Sequence, residues 1–271
     1  SYRGDSWEED RMAVTKGVIK GPKLNSFCGF DFREFLKSRF SGTEDSDSEM
    51  INYPVIEVKW GPYGGLFTKM ENLKQIGFSQ CITTPHVMTN IWNNSSDAIK
   101  KRAEETNAQL SLLPEKSSIK VAAEYMLDQS FLERIKKEKL LTVKDNYILV
   151  ELSYSNPPIN LLDIVFEIQV MGYVPIMAHP ERYLYYKKEL SPIVQLKNAG
   201  CLFQLNLLAT VGYYGKEVAE MADNLLKMGM YNFVGSDVHN QNHINHFSDK
   251  VQIKNTKIVK ECIQNNAFFN S

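Results

Sequence analysis

Val174-Pro-Ile-Met-Ala-His-Pro-Glu-Arg-Tyr183 is the stretch that sets the architecture of this chain. An apolar run, Val174–Ala178, ends directly on an imidazole, a proline, a carboxylate and a guanidinium. Just upstream, Leu161, Ile164, Val165 and Ile168 recur at the spacing of one helical face, so Leu161–Met171 reads as an amphipathic helix. Gly172 follows it, where a left-handed cap favours glycine. Downstream, Leu190–Ala199 reads as a second helix, closed by Gly200. Helix, strand, reactive string and helix make one unit of a parallel α/β protein.

The unit repeats outward in both directions. Val55–Val58, Gln80–Thr83, Ile119–Ala123, Tyr147–Val150, Leu202–Leu205 and Phe233–Ser236 are the other strand candidates. Thr68–Ile76, Ser95–Leu112, Gln129–Glu138 and Lys216–Met228 are helix candidates between them, with Gly77 and Gly229 closing two of these. Strands alternating with helices of this length predict an α/β fold with a parallel sheet, and about seven such units favour a closed or nearly closed barrel. Residues 1–50 differ. Gly17, Gly21-Pro22, Gly29 and the acidic run Ser41–Glu49 read as an N-terminal arm or linker, with one short helix candidate at Phe32–Phe40. The barrel domain is expected over residues 51–271.

What stands at the strand ends carries the chemistry. His86, Glu124, Glu151, His179 and Asp237 each follow a different strand candidate, and His239 lies two residues beyond Asp237. In a parallel α/β barrel all strand C-termini open on one face, the face that holds active sites. Singly, each residue has a structural alternative: Glu124, Glu151 and Asp237 suit helix N-caps or dipole partners, and a histidine in a loop is commonly hydrogen-bonded. Six at one topological position favour a shared metal centre. Imidazole nitrogen and carboxylate oxygen without thiolate suit Mn²⁺, Fe²⁺ or Zn²⁺. Arg182 beside them fits a phosphate contact, because guanidinium forks onto two phosphate oxygens. Tyr183, with Tyr185 and Tyr186, is read as an aromatic rim that meets an aryl substrate or packs. His243 and His246 fall in a polar stretch and read as surface histidines.

Composition excludes several classes. Of 271 residues 43% are hydrophobic and 23% charged, which rules out a disordered or collagen-like chain. Lys plus Arg numbers 31 and Asp plus Glu 32, a net charge of −1, so no global positive field exists for nucleic acid or an anionic membrane. No apolar stretch approaches the roughly 20 residues of a membrane-spanning helix. Cys28, Cys81, Cys201 and Cys262 form no Cys-x-x-Cys pair and read as reduced, packed thiols. Cys28 and Arg33 have four residues between them, one short of the cysteine-phosphatase loop. The polar opening Ser1–Met12 does not read as a signal peptide, so a cytoplasmic location is expected.

The strings Ile82-Thr-Thr-Pro-His-Val-Met88, Ala122-Ala-Glu-Tyr125, Leu149-Val-Glu151, Ala178-His-Pro-Glu-Arg-Tyr183, Gln204-Leu-Asn206 and Gly235-Ser-Asp-Val-His-Asn240 keep their order across most of the chain. In them the chain resembles bacterial members of the polymerase-and-histidinol-phosphatase (PHP) superfamily. The nearest group is the manganese-dependent protein-tyrosine phosphatases encoded with capsule and exopolysaccharide genes. The resemblance implies a distorted (βα)7 barrel, a multi-metal centre, hydrolysis of phosphotyrosine, and a bacterial tyrosine kinase tail as partner, and it leaves oligomeric assembly open. By the same matching His86, Glu124, Glu151, His179, Asp237 and His239 are metal ligands, and Arg182 holds the phosphate.

One motif departs from the family. An Asp-x-His-x-His sequence is expected on the first strand, where Val55-Ile-Glu-Val-Lys-Trp60 places Glu57 and Lys59. Glu57 can ligate through oxygen; protonated Lys59 has no lone pair and repels a cation. Lys59 is therefore read as a phosphate contact or a substitute for a metal's charge. Two classes of function follow: a metal-dependent phosphatase with a reduced metal complement, or an inactive relative that binds a phosphorylated or tyrosine-rich partner.

Overall fold

The computed structural model describes residues 24–25, 78, 82–89, 91–112 and 118–270. The expected strand Val55–Val58, the helices Phe32–Phe40 and Thr68–Ile76, and Gly77, Cys28, Cys81, Glu57 and Lys59 lie outside the described residues. The strands are β1 (Leu24–Asn25), β2 (Ile82–Thr83), β3 (His86–Val87), β4 (Lys120–Val121), β5 (Glu124–Met126), β6 (Tyr147–Glu151), β7 (Val174–Ala178), β8 (Leu202–Asn206) and β9 (Phe233–Gly235). The helices are α1 (Ser96–Leu110), α2 (Gln129–Lys137), α3 (Leu161–Val170), α4 (Ser191–Asn198), α5 (Leu207–Thr210), α6 (Lys216–Lys227), α7 (Gln241–His246) and α8 (Thr256–Asn265).

Six strands form one parallel sheet in the order β3-β5-β6-β7-β8-β9, so neighbours in the sheet follow one another along the chain. A smaller sheet pairs β2 in parallel with β4, with β1 antiparallel on the other side of β2. The fold is therefore mixed α/β with a parallel sheet, as the alternation predicts.

Alternation of side chains along each strand splits the core in two. Ile148, Val150, Met177, Phe203 and Leu205 face the helices, where Ile164, Val165 and Ile168 of α3 and Ala222, Leu225 and Leu226 of α6 meet them in the larger cluster. Leu149, Ile176, Ala178 and Phe233 face the other way and pack with Ile82, Ala122 and Phe269. Truncating a buried leucine such as Leu149 costs about 2–5 kcal/mol in a core of this kind. Gly172 (φ +84°) and Gly200 (φ +88°) take the left-handed conformation at the ends of α3 and α4, which returns the chain to β7 and β8.

The expected strands Gln80–Thr83 and Ile119–Ala123 appear as β2 and β4, and each is followed, after a two-residue kink, by a further strand that the pattern does not predict. Thr84-Pro85 separates β2 from β3, and Ala122-Ala123 separates β4 from β5. Pro85 has no amide to give to a ladder, but its carbonyl accepts from the Glu124 amide at 3.0 Å. The kinks transfer the chain from the small sheet to the large one, so that His86 and Glu124 stand within strands as register partners.

Candidate active site

The inward-facing rows of the sheet run from apolar to polar as they approach the C-terminal edge. Leu149 is followed by Glu151, Phe233 and Gly235 by Asp237, and Leu202 and Gln204 by Asn206, each two residues further along the chain. Period two therefore sets the functional side chains directly above the inner apolar layer.

His86, Glu124, Glu151 and His179 meet there. Nδ1 of His86 lies 2.5 Å from Oε1 of Glu151 and 3.6 Å from Oε2 of Glu124. Nε2 of His179 lies 3.2 Å from Oε1 of Glu124 and 4.0 Å from Oε2 of Glu151. The donor atoms of His86, Glu124 and Glu151 all fall within 4.8 Å of one another. All four side chains are buried. Both oxygens of Glu124 and Nδ1 of His86 lack a hydrogen-bond partner with acceptable geometry. Buried carboxylate oxygens are normally hydrogen-bonded, and one left without a donor costs several kcal/mol unless a cation satisfies it. The nitrogen and oxygen donor set, its spacing and these unbonded atoms fit a divalent metal ion.

The helix-cap alternatives do not apply to the two glutamates. Asp128 caps α2, accepting from the Phe131 amide at 3.0 Å, and Asn160 precedes α3. Asp237 does not cap α7 either, because Asn240 does so, accepting from the His243 amide at 3.0 Å. His179 (φ 37°) and Asp237 (φ 48°) are two of the three non-glycine residues with left-handed φ among the described residues. Such backbone strain, about 1–3 kcal/mol each, gathers where a side chain has to be aimed.

Asp237, His239 and Arg182 form a second group. Nη1 of Arg182 donates to Oδ2 of Asp237 at 3.1 Å, and Nδ2 of Asn206 donates to the same oxygen at 3.0 Å. Nδ1 of His239 lies 2.7 Å from the Asp237 carbonyl oxygen. The His86 and His239 rings, 6.4 Å apart, link the two groups. All six expected ligand residues and Arg182 thus converge at one mouth.

Sequence reading missed several neighbours. His243 was expected at the surface, yet it is buried, and its Nδ1 accepts the His239 amide at 3.2 Å. A histidine four residues after the last ligand-type position was the available signal. Trp92 stacks on His86 with 4.8 Å between ring centroids. Tyr154 lies over His179 at 5.8 Å, its hydroxyl 3.5 Å from Nε2. The Arg182 guanidinium sits 4.5 Å from the Tyr154 ring centroid and 4.1 Å from that of Tyr214.

Tyr183 is buried beneath these groups. Its hydroxyl donates to the Ala178 carbonyl at 3.0 Å and accepts the Leu152 amide at 2.9 Å. Tyr186 is buried as well. The tyrosines that face Arg182 are Tyr154 and Tyr214.

Electrostatics favour a permanent cation beside neutral phenols. Burial pulls the Arg182 pKa down, but Tyr154, Tyr214, Asp237 and Glu181 around it reverse this and leave it raised. Desolvation pushes the Tyr154 and Tyr214 hydroxyls well above the ordinary phenol value, with Arg182 opposing.

A parallel α/β sheet with imidazoles, carboxylates and a guanidinium gathered at its strand ends is the frame of a metal-centred hydrolase-type site. The chain belongs to the capsular polysaccharide synthesis CpsB/CapC family, which it matches over residues 68–270. It is 24% identical over 195 residues to CapC of Staphylococcus aureus, covering 70% of this chain and 76% of that one. It is 26% identical over 165 residues to the tyrosine-protein phosphatase YwqE of Bacillus subtilis (strain 168), covering 60% of this chain and 65% of that one. A crystal structure from work on YwqE of B. subtilis and CpsB of Streptococcus pneumoniae, described as unique metal-dependent tyrosine phosphatases, superposes with a TM-score of 0.56. That match has 25% sequence identity and covers 61% of this chain and 67% of the solved one. Among the described residues no helix is long and apolar enough to cross a membrane.

Proposed function

We propose that this protein is a metal-dependent phosphoester hydrolase of the protein-tyrosine phosphatase type. One observation carries the proposal: Glu124 holds two buried, hydrogen-bond-free oxygens against His86 and His179, at the same mouth as Arg182. His86, Glu124, Glu151 and His179 would hold one divalent ion, and Asp237 and His239 would contribute to a neighbouring position. When bound, such an ion supplies an activated water and neutralises phosphate charge; Mn²⁺ is the ion of choice by resemblance, and Fe²⁺ and Zn²⁺ suit the same donors.

The chain's own residues do the rest. Arg182 gives one N–H to Asp237 and has four others with which to grip phosphate oxygens. Held there, the phosphoryl group faces the mouth at which the carboxylates gather. As a water oxygen bonds to phosphorus and the aryl oxygen departs as phenolate, to be protonated by solvent, Arg182 stabilises charge on the phosphoryl oxygens. Asn206 and His243 keep Asp237 and His239 aimed.

The remaining features belong to the same proposal. Residues 51–271 are taken as the catalytic domain, of PHP-type barrel class, and residues 1–50 as a separate N-terminal segment. Glu57 and Lys59, which stand in the sequence where the first two family histidines are expected, reduce the metal complement. The substrate is a phosphotyrosine protein in the cytoplasm, a bacterial tyrosine kinase tail being the partner the resemblance suggests.

The test is hydrolysis of an aryl phosphate by purified protein with Mn²⁺. Turnover that is lost in His179→Ala and in Asp237→Ala supports the proposal. A folded protein that is inactive with Mn²⁺, Fe²⁺ and Zn²⁺ alike would instead be a phosphotyrosine-binding relative.

A further inference from the structure

We infer that Tyr154 and Tyr214 are positioning residues, which clamp the Arg182 guanidinium between their rings and so set how tightly the site holds phosphate. The inference rests on the phosphatase reading above, in which Arg182 is the phosphate contact. The guanidinium carbon lies 4.5 Å from one ring centroid and 4.1 Å from the other, both within cation–π range. The rings come from unrelated segments: Tyr154 follows β6 and Tyr214 precedes α6. Asp237 meanwhile holds Nη1 at 3.1 Å. The cation is therefore restrained by two rings and one carboxylate.

Each ring is itself anchored. The Tyr214 hydroxyl accepts from Nδ2 of Asn206 at 3.0 Å. Tyr154 lies over His179 at 5.8 Å and against Tyr183 at 6.0 Å. An arginine side chain is long and has many rotamers, and it loses that freedom when it grips an anion. A clamp imposes the loss before the ligand arrives. Aromatic faces serve this purpose where carboxylates would not. Acids in both places would cancel the positive charge that phosphate needs, whereas neutral rings attract the cation and leave its charge intact. The geometry also exceeds what packing alone demands, since an aliphatic side chain would fill either space without facing the guanidinium.

The experiment uses the full chain with Mn²⁺ and inorganic phosphate as the probe, read by titration calorimetry. The variants are Tyr154→Leu, Tyr154→Phe, Tyr214→Leu, Tyr214→Phe and Arg182→Gln, with each Leu variant also combined with Arg182→Gln. Each Leu variant is expected to weaken phosphate binding by roughly three- to thirtyfold, and each Phe variant to restore most of it. In the Arg182→Gln background the Leu substitutions are expected to change affinity by less than about twofold, because they act through the missing group. A second measurement needs no phosphatase activity. The Arg182 Nε–H proton resonance, assigned by its loss in Arg182→Gln, should be displaced by the rings and move towards the ordinary arginine position in each Leu variant.

Leu variants that bind phosphate as the parent does overturn the inference while leaving the phosphatase reading intact. So do Phe variants as weak as Leu, or a Leu effect undiminished without Arg182. An undisplaced Arg182 resonance in the parent overturns the clamp itself. A parent that binds no phosphate overturns the phosphatase reading, and with it the role in affinity. Tyr154 and Tyr214 have different neighbours, so a folding defect at one leaves the other as the test.

Discussion

The Tyr231 hydroxyl donates to Oε2 of Glu181 at 2.8 Å, joining two residues 50 positions apart in the sequence. Oε1 of the same carboxylate accepts the Asn206 amide at 2.8 Å, and Glu181 is fully buried. Burial raises its pKa, against the pull of nearby His179. The acid in His179-Pro-Glu-Arg182 is thus a tether between β8, the segment before β9 and the turn that presents Arg182.

Tyr231→Phe removes the donor and strands a buried carboxylate oxygen. Stability should fall by about 1–3 kcal/mol in urea unfolding at neutral pH. Glu181→Ala should cost at least as much.

Trp92 stacks on His86, so a metal ion bound as proposed would have a built-in optical reporter. Titration with Mn²⁺ should change tryptophan emission, and Trp92→Phe should remove the response. At a hundredfold excess over its dissociation constant the ion should add about 2.7 kcal/mol of stability and raise the melting temperature. Glu124→Ala should abolish both effects.

Arg182→Lys keeps the charge but loses the fork and the planar face between the rings. We expect kcat/KM for an aryl phosphate to fall by roughly a hundredfold or more, with metal uptake unchanged by elemental analysis.

Burial pushes the Cys201 thiol up to about 12 and the Cys262 thiol up to about 11. At pH 8 both are almost wholly protonated, and neither should react with iodoacetamide in the native protein. Peptide mapping should find both labelled only after denaturation.

Glu57 and Lys59 give a test of the altered first strand. Glu57→His combined with Lys59→His should raise the number of metal ions bound per chain, counted by elemental analysis. An unchanged count would show that this segment does not reach the centre.

Much of the fold and of the site was legible in the sequence, because both depend on short-range pattern. A strand ending on a ligand-type residue shows itself within ten residues, and five such endings, with His239 beyond the last, fall at the residues that the fold gathers. Strand bounds agree closely for β6 and β7, where β-branched and apolar residues are continuous. They fail near Pro85 and Ala123, where the chain changes sheets and no local signal announces the transfer. Asn206, Tyr154, Tyr214 and His243 were not legible as partners of the site. Their roles depend on which distant group each one meets, and Tyr214 has the same local appearance as Tyr213 beside it. Tyr183 misled for the opposite reason: its motif adjoins Arg182 in sequence, but the turn directs its ring into the core.

Neighbouring strands of the large sheet follow one another in the chain, and this gives the centre an order of assembly. As the polypeptide leaves the ribosome, His86, Glu124 and Glu151 emerge before β9 and the Asp237 that follows it. The proposed cation ligands on β3, β5 and β6 are therefore translated before the residues proposed to grip the anion. Asp237 comes last of these, so the hydrogen bond that steadies Arg182 is the final one the chain can close.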